Sequence, residues 1–294
     1  MNEKILKQVK KFFNTDGIHD TFLNDVKIYT TSKYDPLSPF IYDVCLILVL
    51  QGKKIGHLGA NTLVYDAKNY LVVPTTLPLE CETYASQEEP FIGLIISIDK
   101  KVMYDIIDNV SKKEAIESKK NSLGVFSDKV NENIEDITLK LLKMLESKEE
   151  SKILGTSLLK ELFYRVAVGE NSHFLHKMFL NTNNEAKIAR ALKIIHTQCE
   201  TNLDITKLAR EEDMSVPSFH THFKKITSHT PLQYIKKIRL NKGRELIAKQ
   251  DYQVVDAAYE MGYDSASQFS RDFKNYFGYP PKDVKPSFEK DSSI

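Results

Sequence analysis

Gln268 and Arg271 stand three residues apart in the run SASQFSRDFKNYF, so on a helix they share one face, together with Ser267, Ser270 and Lys274. An arginine fork and a side-chain amide carry the paired hydrogen-bonding groups that match guanine and adenine edges, while hydroxyls and lysines suit phosphates. A second run, SVPSFHTHFKKIT, begins fifty positions earlier and offers Ser218, His220, Thr221, Lys224 and Lys225 on the corresponding face. The chemistry implied is recognition of a DNA groove.

The two runs are copies of one framework. Ser215, Phe219, Phe223 and Lys224 recur as Ser265, Phe269, Phe273 and Lys274, and upstream Ile205, Leu208 and Ala209 are matched by Val254, Ala257 and Ala258 with a shift one residue shorter. Each copy predicts two short helices about a tight turn, from Ile205 to Thr227 and from Val254 to Phe277. Asp204 and Ser215 cap the helices of the first copy, with Asp213-Met214 as its turn and Pro217 in a first helical turn, where a missing N–H costs little. In the second, Met261-Gly262-Tyr263 forms the bend and Ser265 is the next cap. A buried phenylalanine stripe on each second helix leaves the polar face outward. Gln268 and Arg271 are therefore candidate base readers, His220 and Thr221 stand on the corresponding face of the first copy, and Ser218, Lys224, Lys225, Ser265, Ser270 and Lys274 are candidate backbone contacts.

Between the copies, Thr230-Pro231 starts a helix running to about Ala248, roughly 27 Å long at about 1.5 Å per residue. One turn of DNA is roughly 34 Å, so two recognition helices at its ends would enter successive major-groove faces and one subunit would bind a nonpalindromic half-site. Gly243 within it costs about 1 kcal/mol relative to alanine, for no reason visible in the sequence. Overall charge is only +1, but Lys224, Lys225, Lys236, Lys237, Arg239, Lys242, Arg244 and Lys249 oppose Glu245 alone, which makes a local basic stripe.

The elements that must carry these helices fill the preceding residues. Residues 21–98 alternate short Val-, Ile-, Leu- and Tyr-rich stretches with Gly, Pro, Asn and Asp, which predicts strands over 26–31, 42–50, 54–58, 62–65, 70–73, 80–85 and 91–98 and a sandwich or barrel. Residues 100–180 turn helical, with stripes at Ile134, Ile137, Leu141, Leu142 and Leu145 and at Ile153, Leu158, Leu162 and Val166 that either pack on the barrel or pair in a dimer. Asn181 to Asn184 form a polar break.

The stretches MSVPSFHTHFKKITSHTPLQYIKKIRL and VVDAAYEMGYDSASQFSRDFKNYFGYPP resemble the DNA-binding domain of the AraC/XylS family of bacterial regulators, and YDVCLILVLQGKK, YLVVP and LPLECETYASQEEPFIGLIISID resemble its cupin-like N-terminal domain. The resemblance implies an α+β multidomain protein. A cupin-like β-barrel at 1–99 would sense an effector, helices at 100–183 would dimerise or link, and an all-α double helix-turn-helix domain would occupy 184–288. It places the family's base-reading positions on Pro217, His220, Thr221, Ser267, Gln268 and Arg271. Many members have arginine where Thr221 stands and Pro217 has no donor, so the second unit is expected to read more bases. Double-stranded promoter DNA, RNA polymerase, a second copy of the chain and a small-molecule effector are the implied partners, with activation among the implied roles.

Other chemistry is weaker. His220 and His222 point to different helix faces, His19 and His57 are too few for a cupin-type metal centre, and Cys45, Cys81 and Cys199 contain no CxxC, so no metal, cofactor, disulfide or catalytic group is expected. Cys45, in an apolar stretch, reads as an inert small hydrophobe. Tyr42, Tyr65 and Tyr84 are candidates for an effector pocket, with core filling as their alternative. Ile5, Val9 and Phe12 suggest a short amphipathic helix, with no signal peptide or membrane span, so the expected compartment is the cytoplasm. An enzyme with a DNA-binding appendage and a DNA-binding protein with no effector are the competing readings.

Overall fold

The strand Cys45–Gln51, CLILVLQ, is buried along nearly its whole length, which demands cover on both faces of the sheet it belongs to. In the computed structural model, which describes residues 3–9, 11, 15–110, 124–179, 184–248 and 252–284, that cover is present. Ten antiparallel strands run β1 (Gly17–Asp20), β2 (Val26–Thr31), β3 (Asp35–Tyr42), β4 (Cys45–Gln51), β5 (Lys53–Leu58), β6 (Asn61–Asp66), β7 (Asn69–Val73), β8 (Leu77–Tyr84), β9 (Phe91–Ser97) and β10 (Phe126–Lys129). Their order is β1-β2-β9-β4-β7-β6-β5-β8-β3, with β10 added on β7.

Alternation sorts the side chains onto two faces. Leu46, Leu48 and Leu50 of β4, with Val72, Leu94 and Ile96, pack under helices α1 (Glu3–Val9), α2 (Lys100–Val110), α3 (Glu132–Met144), α4 (Lys148–Ala167) and α5 (His173–Phe179). Cys45, Ile47 and Val49, with Leu71, Val73 and Ile95, face the opposite way. Asn131 and Ser147 cap α3 and α4, their side chains accepting from the N–H groups of Ile134 and Glu150. Ile134, Ile137, Leu141, Leu142, Leu162 and Val166 are buried against the sheet, whereas Ile153 and Leu154 of α4 are exposed.

The sheet is a curled half-barrel. Among the described residues its edge strands β1 and β3 have no partner on their outer sides. The sequence DPLSPFIY explains one edge, because Pro36 and Pro39 offer no N–H to a further strand. The same prolines hide β3 from a strand search, and Tyr42 ends β3 where the sequence reading began β4 with it. β1 and β10, four residues each, were likewise not expected.

Six helices follow: α6 (Asn184–Gln198), α7 (Ile205–Glu211), α8 (Val216–Thr227), α9 (Pro231–Ala248), α10 (Val254–Glu260) and α11 (Ala266–Phe277), then a short turn at Pro281–Asp283. The expected break at 181–183, Phe12, Lys249 and everything beyond Val284 lie outside the described residues. Thr230 and Gln233 cap the start of α9 reciprocally, the Thr230 N–H donating to Gln233 Oε1 at 3.0 Å and the Gln233 N–H to Thr230 Oγ1 at 3.3 Å.

Candidate nucleic-acid interface

The repeated framework folds as two helix pairs, α7 on α8 and α10 on α11, joined through α9. Asp204 caps α7, its Oδ1 accepting from Thr206 N at 2.8 Å and Lys207 N at 3.3 Å, and the Ser215 side chain accepts from Ser218 N at the start of α8. Ser265 occupies the equivalent place before α11 without a side-chain capping bond. The turns correspond: Asp213 has φ 48° and Gly262 φ 71°, the left-handed conformation that lets each helix pair bend.

Phe219 and Phe223 of α8 and Phe269 and Phe273 of α11 are fully buried, each worth about 1.5–3 kcal/mol of transfer from water. Gly243 of α9 has its reason here, because a Cβ on it would lie 2.9 Å from the Phe269 ring: the glycine lets that ring rest on α9. With the phenylalanines inward, Pro217, His220, Thr221, Lys224 and Lys225 of α8 and Ser267, Gln268, Arg271 and Lys274 of α11 are exposed, while Ser218, Ser265 and Ser270 are half-buried. The Thr221 hydroxyl already donates to Pro217 O at 2.9 Å within its own helix. Gln268 stands at the rim of a groove between the units, lined by Leu232, Arg239, Tyr263 and Asp272 among others.

Most of the basic stripe holds the protein together. Arg239 donates to the carbonyls of Cys199, Thr201 and Gly262, Lys242 to that of His196, Lys236 pairs with Asp272 at 2.7 Å, Lys237 with Glu80 at 3.5 Å, and Arg244 lies over the Phe277 ring. Lys224 and Lys225 remain on the exposed face of α8. Counting charges along the chain could not separate these roles.

The helical domain is docked on the sheet. Tyr234 OH donates to Thr76 O at 2.7 Å, Gly124 N to Ile226 O at 2.9 Å and Ser228 Oγ to Leu58 O at 3.4 Å. His229 sits near Lys237 and Glu80, and burial followed by the Lys237 charge pushes its pKa down to about 4.

A second site lies inside the curled sheet, a cavity of about 80 Å³. Tyr42 lines it; Tyr65 is not in its lining but shares a hydrogen bond with Tyr42 at 2.8 Å; Tyr84 lies outside, with Lys53 Nζ over its ring and Tyr34 beside it. The residue that sequence reasoning missed is Lys54, whose buried ammonium lies near the rings of Tyr29, Phe40 and Tyr42. Its signal was the phase of β5: Lys54 alternates inward with Gly56 and Leu58. Desolvation lowers the Lys54 pKa, with Cys81, Asp35 and Cys45 opposing. Burial raises Cys45 and Cys81, consistent with inert thiols.

Comparison with known proteins agrees with this architecture. The family described as AraC-type transcriptional regulator N-terminus matches residues 23–174, and a helix-turn-helix domain matches 208–286. The HTH-type transcriptional activator RhaS of Escherichia coli is 26% identical over 158 residues, which is 53% of this chain and 56% of that protein. RhaS of Salmonella paratyphi B is 28% identical over 104 residues, 35% of this chain and 37% of that protein. The chain thus spans about half or less of the length of these curated relatives. Among solved structures, ToxT of Vibrio cholerae with bound unsaturated fatty acid superposes with a TM-score of 0.58 at 14% identity, over 87% of this chain and 92% of that one. Another ToxT crystal form gives 0.57 at 13% identity, over 87% and 95%. These structures share its fold. Among the described residues no helix is long and apolar enough to cross a membrane.

Proposed function

The chain belongs to the AraC-type transcriptional regulators, and on that premise we propose that it grips promoter DNA with α8 and α11 and regulates transcription in response to a small molecule held by the half-barrel. The observation that carries the reading is the duplicated framework that buries four phenylalanines and turns two polar helix faces outward. Gln268 and Arg271, with Ser267, read bases from α11; Pro217, His220 and Thr221 face the groove from α8. Ser218, Lys224, Lys225, Ser265, Ser270 and Lys274 hold phosphates. The first unit reads less, since Pro217 has no donor and the Thr221 hydroxyl is already engaged.

The reading assigns residues 1–99 to sensing, 100–183 to assembly and 184–288 to DNA. Ile153, Leu154 and Tyr164 of α4, with Val168 at its C-terminal cap, supply exposed apolar surface for a second copy. RNA polymerase is the partner that an activator such as RhaS implies, the cytoplasm is where the complex works, and no side chain is assigned a catalytic role. The fatty acid named with ToxT supports an effector site in this fold.

Footprinting on genomic DNA identifies the operator, after which Arg271→Ala tests the mechanism. A bidentate base contact is worth about 1–3 kcal/mol, so the cognate site should lose roughly 5- to 150-fold while random DNA loses far less. Lys274→Ala should weaken both alike. Equal losses on both DNAs for Arg271→Ala would remove it from base reading.

A further inference from the structure

The cavity of the curled sheet contains a buried cation that makes no ion pair or hydrogen bond among the described residues. Lys54 is 6% exposed, and its Nζ lies 4.9 Å from the ring centre of Phe40, 5.1 Å from Tyr29 and 5.6 Å from Tyr42. No carboxylate of the described residues comes within ion-pair distance of it, and none accepts a hydrogen bond from it. The three rings offset part of the lost hydration through their negative faces. They do not neutralise a charge taken out of water. Asp35, which also lines the cavity, lies at its exposed end, and its own pKa is raised by burial against the opposing charge of Lys54. Ile47, Phe91 and Ile95 give the cavity an apolar wall, beside the polar groups of Ser38 and Asp35.

We infer that this cavity binds a compact organic carboxylate, whose oxygens pair with Lys54 Nζ and whose apolar body lies against Ile47, Phe91 and Ile95. This deepens the sensory reading of the half-barrel and rests on it. Size fixes the word compact. One water needs about 10–15 Å³ of such space, so a cavity of about 80 Å³ holds on the order of five to eight water-sized groups. Benzoate or hexanoate is of that size; a long-chain fatty acid is not. The site also touches the path to DNA, since β3 and β8, which supply Phe40, Tyr42 and Cys81 to the cavity, are the strands on which α9 rests.

The test is calorimetric titration of the full chain with hexanoate, benzoate, hexanol, norleucine and palmitoleate. The expected result is one-to-one binding of hexanoate or benzoate with Kd at or below about 1 mM, and hexanol weaker by about tenfold or more, since a charge-assisted bond is lost. Lys54→Met should abolish that preference while melting at or above the parent temperature, because a buried unpaired charge is replaced by an apolar chain of similar length. The comparison of hexanoate with hexanol on the parent protein stands even if the variant fails to fold. Hexanol binding as well as hexanoate, norleucine binding better, palmitoleate binding in preference to both short acids, or no saturation by any acid up to about 10 mM would each overturn the assignment. Gel shifts on promoter DNA run separately: DNA binding without carboxylate binding refutes the cavity assignment alone, and the converse refutes the DNA reading alone.

Discussion

Gly262→Ala perturbs the second helix-turn-helix unit without altering either exposed polar helix face. Gly262 has φ 71°, where a residue with a side chain costs about 1–2 kcal/mol. The added Cβ would fall 2.1 Å from the carbonyl oxygen of Glu200, far inside contact distance and against backbone that has no rotamer to change. Arg239 knits the same place together, Nε donating to Cys199 O at 2.5 Å, Nη2 to Thr201 O at 2.9 Å and Nη1 to Gly262 O at 3.2 Å. Moving the turn outward to admit the methyl sacrifices at least the last of these, and a hydrogen bond from a charged group contributes about 1.5–3 kcal/mol. Strain and lost bond together predict a destabilisation of about 2.5–5 kcal/mol.

Urea unfolding followed by circular dichroism reads this as a lower midpoint. The first unit supplies the control, since Asp213 occupies the equivalent turn at φ 48° and already bears a side chain there. Asp213→Gly relieves about 1–2 kcal/mol of strain and returns about 0.5–1 kcal/mol in unfolded-chain entropy, so it should be neutral to slightly stabilising. A shift below about 0.5 kcal/mol for Gly262→Ala, or an equal loss for Asp213→Gly, would refute the reasoning, because ordinary surface substitutions stay within that range.

Gly243→Ala gains about 1 kcal/mol of helix propensity but drives a methyl to 2.9 Å from the Phe269 ring, where overpacking costs about 1–3 kcal/mol, so thermal melting should fall modestly. His229, with its pKa pushed from 6.5 to about 4, is neutral when folded and takes up a proton more readily when unfolded. Its contribution is therefore complete above pH 6.5 and is lost as pH falls towards 4. His229→Gln should flatten the dependence of the urea midpoint on pH in that window, even though His196, also lowered by burial, keeps part of it. Cys45, Cys81 and Cys199 are all buried, so Ellman's reagent should label the native protein slowly and the urea-unfolded protein at once; rapid native labelling would contradict the burial that raises their pKa values.

The helical half was legible because its signals are local. Asp204 and Ser215 cap within three residues, the phenylalanine stripes repeat at helical spacing, and the glycine of the second turn sits where the bend must be. The sheet was legible only where alternation and β-branched residues coincide. β3 was lost to its two prolines, which are tolerated because it is an edge, and an edge is a property of the whole sheet rather than of eight residues. Lys54 was overlooked for a related reason. Lys54 opens the expected strand 54–58, and only the strand's phase decides that it turns inward while its neighbour Lys53 points out over the Tyr84 ring. The basic stripe misled in the other direction: its charges face carbonyls, carboxylates and rings that only the folded chain brings near.

The two units also differ in where their cores end. Phe219, Phe223, Ile226 and Tyr234 belong to the same apolar cluster as Tyr42, Ile47, Val73 and Cys81 of the sheet, so the first unit and the cavity wall share one packed interior. Phe269, Phe273, Met261 and Tyr263 form a separate cluster with Leu240 at the middle of α9. Close-packed interiors transmit displacement, whereas separate ones move as bodies about their connection. A change in β3 or β8 therefore reaches α8 through the shared cluster and α9, and reaches α11 through α9 and its own contact with β3. The unit with Lys224 and Lys225 is bonded to the sheet at Leu58 and through Gly124. On the proposed assignment, the unit that grips the backbone thus shares its core with the half-barrel, while the unit that reads bases keeps a core of its own and meets the half-barrel through α9 and its contact with β3.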